Sequence, residues 1–250
     1  MEGDRSRLAH HLRRTLSKDR RQALWAFWAS RHRLQGLLAW PVRRHLNLLA
    51  IIYGTDKSSF FHGYAKLYAR YLSPSRRSVR SVLEIGIGGV TSAAGYDTLA
   101  GGHSLRMWQT YFPKAQIVGV DIERKLVPGR RISVERGSQD DNTFLRDVAD
   151  RYGPFDLVID DGSHIGRHVE ASFEVLFERV KPGGFYVIED LGPSYLPAWE
   201  GGPPGHPGTQ SELLKRLVDD VLRRHWDTAG TAPPLRALHL HDQIAFLERA

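Results

Sequence analysis

Short apolar runs that end repeatedly in carboxylates constrain this chain more than any other feature. They are Ser81–Gly86 (SVLEIG), Gln116–Asp121 (QIVGVD), Arg131–Arg136, Phe155–Asp160 (FDLVID) and Gly184–Glu189 (GFYVIE). Their length and branched apolar content read as buried strands. Amphipathic stretches follow at Ser104–Tyr111, Thr143–Tyr152, Ile165–Val180 and Ser211–Trp226. Strands alternating with helices imply a parallel sheet covered on both faces. The chain closes with Leu235–Leu240 and Gln243–Glu248 around His241-Asp242, the spacing of a hairpin that adds an antiparallel edge. The predicted fold is α/β, a mostly parallel seven-stranded sheet with a C-terminal antiparallel hairpin. Leu191–Thr209, with five Pro and five Gly, reads as a long loop at the tip of the fifth strand.

Composition narrows the chemistry. The 250 residues are 41% hydrophobic, enough for a real core, and contain no Cys. A disulfide framework, a Cys-based zinc site and a Cys nucleophile are thereby excluded. No apolar stretch has the length of a bilayer span, so a cytoplasmic protein is expected. The net charge of +7 is uneven. Residues 1–45 hold 11 Lys/Arg and 3 Asp/Glu, a balance of +8, and residues 46–250 hold 24 and 25, a balance of −1. Residues 1–50 are expected to form a basic, Trp-rich helical arm carrying Trp25, Phe27, Trp28 and Trp40, and residues 51–250 the main domain. The arm's apolar positions are expected to pack on that domain or across a homodimer, with peripheral contact to an anionic membrane surface as the sharper alternative. A near-neutral main domain argues against nucleic acid as the partner.

In an open α/β sheet, ligands bind beyond the carboxyl ends of the strands. Here those ends carry Glu84, Asp121, Asp160-Asp161 and Glu189-Asp190. Clustered acids repel one another unless a cation sits among them. Glu84-Ile-Gly86-Ile-Gly88-Gly89 is a glycine turn after a strand, but Thr91 stands where a dinucleotide fingerprint needs its third glycine. An acid inside the turn suits a ligand with a cationic part, such as the sulfonium and ammonium of S-adenosylmethionine. Asp121 could accept hydrogen bonds from two ribose hydroxyls. Taken alone, the glycine turn is equally readable as purely structural; Asp121 and the Lys181-Pro-Gly-Gly184 turn tip the reading towards methyl transfer.

The second constellation is Asp160-Asp161-Gly-Ser-His164 with Glu189-Asp190. Adjacent strand tips would bring Asp161, Glu189 and Asp190 to one ion, and an all-carboxylate set suits Mg²⁺. His164 lies three residues beyond Asp161 and is placed to be a general base. The plain alternative is that Asp161 or Ser163 caps the next helix. Ser104 is likewise readable as an N-cap, and Tyr64 and Tyr68 as core aromatics. His168 reads as a packing or surface residue.

Gly54-Thr-Asp-Lys57, His62-Gly-Tyr64, LEIGIGG (Leu83–Gly89), GGHSLRMW (Gly101–Trp108), GVDI (Gly119–Ile122), GSQDD (Gly137–Asp141), DDGSH (Asp160–His164) and IED (Ile188–Asp190) resemble the Mg²⁺-dependent class I sugar O-methyltransferases. This is the family of the mycinamicin and elloramycin glycosyl methyltransferases. The resemblance covers about residues 53–200, and DDGSH with the downstream ED is its most specific part. It implies a Rossmann-like methyltransferase domain, S-adenosylmethionine and Mg²⁺ as cofactors, and a glycoside or oligosaccharide as substrate. By resemblance, Asp161, Glu189 and Asp190 are the metal ligands and His164 the base. Glu84, Gly86, Ser104, Asp121, Ser138, Gln139 and Asp160 line the cofactor site, and Thr55 and Lys57 close over it. A catechol-type O-methyltransferase of a small aromatic diol is the alternative, since such a diol could chelate the same ion. Gly86 and Asp121 are 35 residues apart, against about 20 in dinucleotide folds. Val90–Gly102 is thus expected to be an inserted loop, a candidate lid. The basic arm stands where the macrolide enzymes carry a large auxiliary domain. The short form looks more like relatives that methylate mannosides or rhamnosides of mycobacterial glycans.

Overall fold

The computed structural model describes residues 32–88, 101–222, 225 and 235–250. The expectations for Trp25, Phe27 and Trp28 and for most of the Val90–Gly102 insertion lie outside the described residues.

Seven strands form one sheet: β1 (Ser81–Ile85), β2 (Gln116–Asp121), β3 (Ile132–Arg136), β4 (Phe155–Asp160), β5 (Val180–Glu189), β6 (Leu235–His241) and β7 (Ile244–Arg249). Their spatial order is β3-β2-β1-β4-β5-β7-β6. Strands β1 to β5 pair in parallel, and β7 runs antiparallel to both β5 and β6. The strand order reverses between β1 and β4, which opens a crevice at their carboxyl ends.

Alternation along the strands builds two cores. Val82, Ile117, Leu157, Ile159, Val187 and Phe246 face helices α1 (His32–Ala39), α2 (Leu46–Tyr53), α3 (Tyr64–Leu72) and α4 (His103–Tyr111). Leu83, Val118, Val120, Val158, Ile188 and Leu247 face α5 (Asn142–Tyr152), α6 (Gly166–Leu176) and α7 (Gln210–Leu222). Each such side chain contributes about 1.5–3 kcal/mol by leaving water. Glu84 shares the face of Val82, so the period of two drives a carboxylate into the first core.

Local chemistry sets the helix ends. Asp141 accepts hydrogen bonds from the Thr143 and Phe144 amides and so caps α5. Gly54, at φ +72°, ends α2 in the left-handed conformation. Helix α2 runs across residue 50 and buries Leu46, Leu49, Ala50 and Tyr53 in the first core.

Two elements differ from their sequence readings. β5 starts at Val180, and Lys181-Pro-Gly-Gly184 lies inside it. The pairing jumps from Phe155–Val180 to Leu157–Phe185, so these residues, with Gly183 at φ +73°, interrupt the register inside the strand and do not precede it. The Leu191–Thr209 stretch is not featureless. It folds into two 3₁₀ turns, Gly192–Tyr195 and Pro197–Trp199, and buries Ser194.

Candidate active site

The tips of β1, β4 and β5 bring the carboxylates together. Gly86, at φ +76°, turns the chain where β1 meets β4, and its amide donates to the Val120 carbonyl while the Asp161 amide donates to Ile85. An added Cβ at Gly86 would lie 2.0 Å from the Asp161 carbonyl oxygen, so only glycine lets the two tips approach.

Lys57 organises the centre. Its Nζ donates to Asp161 Oδ2 at 2.7 Å and to Glu189 Oε2 at 2.9 Å, and it lies 3.3 Å from Glu84 Oε1. Only 1% of the side chain is exposed, so this ammonium is the internal counterion of three strand tips. Burial draws its pKa down, but Asp161, Glu189 and Glu84 outweigh burial and leave it well above the ordinary lysine value. Glu189 also accepts from the Tyr68 hydroxyl at 2.5 Å. Burial first, opposed by Lys57, lifts the Glu189 carboxyl to about 7. Burial likewise raises Glu84 and, more strongly, Asp161. Trp108 Nε1 donates to Glu84 Oε2 at 2.9 Å.

Asp161, His164 and Asp190 each offer one ligand atom, and the three atoms lie within 4.8 Å of one another. Asp190 Oδ1 accepts from the Tyr64 hydroxyl at 2.5 Å, and Asp190 Oδ2 lies 3.8 Å from His164 Nε2. His164 (φ +59°) and Asp190 (φ +56°) both adopt the left-handed backbone, uncommon outside glycine and concentrated at functional sites. Burial lowers the His164 pKa, against the pull of Asp190 and Asp160.

The predicted site residues separate into three groups. Thr55, Gly86, Ser104 and Asp161 line one cavity of about 150 Å³ with Lys57, Ile87 and His103. Asp121 stands at the tip of β2 and accepts from the Ile87 amide at 3.3 Å and the Glu123 amide at 2.9 Å. Gln139 and Asp160 form the third group, behind the loop that carries His164. Asp160 is 1% exposed and accepts from Ser172, Tyr186 at 2.8 Å and Gln139 at 3.2 Å. Gln139 Oε1 accepts from the Ser163 amide at 2.6 Å. Both side chains are thus spent on holding the loop. Ser138 donates to Asp140. Glu189, predicted beside Asp161 and Asp190, accepts from Lys57 and Tyr68 through its two oxygens, and His164 offers a ring nitrogen beside Asp161 and Asp190.

His164 precedes α6 and so shares no helix face with His168, which bonds Ser163 Oγ at 3.0 Å. Ser104 is one residue into α4, whose cap position is Gly102, and it lines the cavity beside Gly86. Sequence reasoning missed Trp108 as the partner of Glu84 and left Tyr64 and Tyr68 between core and site. Both tyrosines are buried and both reach a carboxylate. Their spacing of four on α3, aligned with Glu189-Asp190, was the available signal.

A reversing parallel sheet with a C-terminal antiparallel hairpin, and an acid-rich crevice at its switch point, defines the class I methyltransferase fold. No protein-family model matches the chain. It is 40% identical over 213 residues, 82% of its length, to mycinamicin VI 2''-O-methyltransferase of Micromonospora griseorubida. It is 40% identical over 208 residues, 80% of its length, to 8-demethyl-8-alpha-L-rhamnosyl tetracenomycin-C 2'-O-methyltransferase of Streptomyces olivaceus. These alignments take in 52% and 53% of the two relatives, so the chain spans about half their length. The solved MycE methyltransferase from the mycinamycin biosynthetic pathway, in complex with Mg and SAH, superposes with a TM-score of 0.76 at 40% identity, over 82% of this chain and 53% of that one. A second structure of that enzyme also holds mycinamycin VI and gives a TM-score of 0.74 at 42% identity, over 82% of this chain and 54% of that one. Over the matched residues the chain belongs with the sugar O-methyltransferases.

Proposed function

We propose that this chain transfers a methyl group from S-adenosylmethionine to a sugar hydroxyl of a glycoside or oligosaccharide, with Mg²⁺ at the strand-tip carboxylates and His164 as general base. The observation that carries the reading is the convergence of Asp161, His164 and Asp190 beside the cavity lined by Thr55, Gly86 and Ser104.

The donor set fits both cofactors. One buried ammonium, Lys57, faces Glu84, Asp161 and Glu189, with Asp190 next to them. That surplus of negative charge in a low-dielectric setting favours binding of a divalent cation and of a cationic ligand. Bound there, S-adenosylmethionine would supply an electrophilic methyl group and Mg²⁺ would acidify the acceptor hydroxyl. Lys57 engages Asp161 Oδ2 and Tyr64 engages Asp190 Oδ1, which leaves the other oxygen of each for the cation. Glu189 is the third carboxylate of the set; Lys57 and Tyr68 engage its two oxygens, so it would reach the cation by releasing one of them. His164, kept neutral by burial, can take the hydroxyl proton at Nε2, and Asp190 stabilises the imidazolium that results. Glu84 faces the cationic part of the cofactor, Asp121 the ribose, and Thr55, Gly86 and Ser104 its remaining wall. Ser138, Gln139 and Asp160 shape the adenine side, the last two through the loop they hold. Tyr195 and Trp199, 50% and 38% exposed on the turns after Asp190, offer stacking faces to a sugar.

The test is release of S-adenosylhomocysteine from a panel of mannosides, rhamnosides and short oligosaccharides, with Mg²⁺ and with EDTA, for the wild type and His164→Ala. Turnover that needs the metal and falls at least ~10²-fold in the variant supports the reading. Metal-independent turnover, or full activity in His164→Ala, overturns it.

A further inference from the structure

We propose that α1 and the basic turns beside it form a docking surface for an anionic lipid bilayer. None of the outward residues of this surface lines the crevice, and two independent features meet on it.

The first is a helix that is apolar on the wrong side. Helix α1 buries Gln35 and Ala39, both 0% exposed, and Gln35 Oε1 accepts from Arg106 at 2.9 Å inside the protein. Leu34, Leu37 and Leu38 point outward at 46%, 73% and 48% exposure, at the i, i+3, i+4 spacing of one helix face. Trp40 continues that face at 66%. A surface helix ordinarily turns its leucines inward, so an outward apolar stripe marks a contact surface.

The second is charge. Between Asp19 and Glu84 the chain has twelve Lys or Arg and one acid, Asp56. The fold gathers several of them. Arg76 has a lowered pKa, first through burial, with Arg44, Arg77 and Arg43 adding repulsion, so four arginines share one neighbourhood. The Arg43 guanidinium stacks over Trp40 at 4.4 Å, joining the basic and apolar features. Arg43 and Arg76 donate to the backbone carbonyls of Trp40 and Tyr111, and among the described residues neither they nor Arg44 and Arg77 are ion-paired with a carboxylate. Leucines and a tryptophan flanked by arginines that have no carboxylate partner among the described residues fit the bilayer interface, where the apolar side chains reach the acyl boundary and the guanidiniums meet lipid phosphates. Nucleic acid would use the arginines but leave the leucines in water.

The full chain is tested by sedimentation with phosphatidylcholine vesicles, with and without phosphatidylserine, at low and high salt. Binding is expected only with phosphatidylserine and is expected to weaken at high salt. Each arginine is worth about a factor of five, so Arg44→Gln with Arg77→Gln should weaken partitioning roughly 25-fold. Leu37→Ser with Leu38→Ser should weaken it at low salt too, which electrostatic attachment by residues 1–31 alone would not show. Neither pair lines the crevice, and both should leave turnover on a free glycoside unchanged. The proposal fails if the chain does not bind the anionic vesicles, or if neither pair alters binding. It also fails if the leucine pair splits a dimer in light scattering without affecting vesicles, which would make the face an interface between copies.

Discussion

Gly86→Ala tests the strand-tip geometry most directly, because the structure contains its own control. Gly86 and Gly63 share almost the same positive φ, +76° and +77°. Alanine in that region costs about 1–2 kcal/mol at either site. The surroundings differ. A Cβ on Gly63 meets nothing within 4 Å, whereas on Gly86 it would sit 2.0 Å from the Asp161 oxygen, 2.5 Å from its carbonyl carbon and 2.7 Å from Gly162 Cα. All three are backbone atoms, so no rotamer relieves the overlap. β1 and the Asp161 loop must move apart, at a further cost of about 1–3 kcal/mol. Gly63→Ala should therefore lose about 1–2 kcal/mol and Gly86→Ala about 2–5 kcal/mol. Urea denaturation measures both, read as a shift in midpoint at constant slope. Gly86→Ala should also lose about 10²-fold in turnover, because a shift of about 1 Å displaces Asp161. Equal destabilisation of the two variants would refute the close approach of the β1 and β4 tips.

Three further outcomes follow from the site. Because burial lowers the His164 pKa, kcat/KM should fall on the acid side with a midpoint below the ordinary imidazole value of about 6.5, and an acid limb above that value would contradict the assignment. The folded-state pKa of Glu189 is raised from 4.5 to about 7, so its contribution to stability is present below 4.5 and lost as pH rises through 7. In EDTA, the stability of the wild type relative to Glu189→Gln should drop by up to about 3 kcal/mol across that window, and a flat difference in paired urea titrations would refute the shift. Gln139→Ala removes the acceptor of the Ser163 amide and a donor to buried Asp160, so it should cost about 1–3 kcal/mol and lower kcat more than the affinity for S-adenosylhomocysteine. A variant that instead loses only affinity for that ligand would make Gln139 a direct cofactor contact.

The strand and helix pattern was legible because it is local. Short runs of branched apolar residues mark β1 to β4 within a residue. The start of β5 was not legible, since Pro182 and Gly183 signal a turn and only the pairing of Phe155 with Val180 draws them into the sheet. The Pro- and Gly-rich stretch after β5 gave no periodicity from which its 3₁₀ turns could be read.

The sequence by itself determined that acids would gather at one edge of a parallel sheet, because strand direction and strand ends are encoded in the runs. It also determined that Asp161, His164 and Asp190 belong to the strand-tip loops where a ligand would bind. Only the tertiary structure decided how those acids are shared. Lys57 comes from a segment 104 residues from Asp161 and 132 from Glu189, and no local pattern reveals which carboxylates a buried ammonium will meet. Tyr68 and Lys57 engage Glu189, Tyr64 engages Asp190, and Gln139 with Asp160 braces the loop bearing His164. The physical reason is that a buried polar group must find its partner wherever packing places one, so the assignment of charges inside the site is a property of the packed molecule.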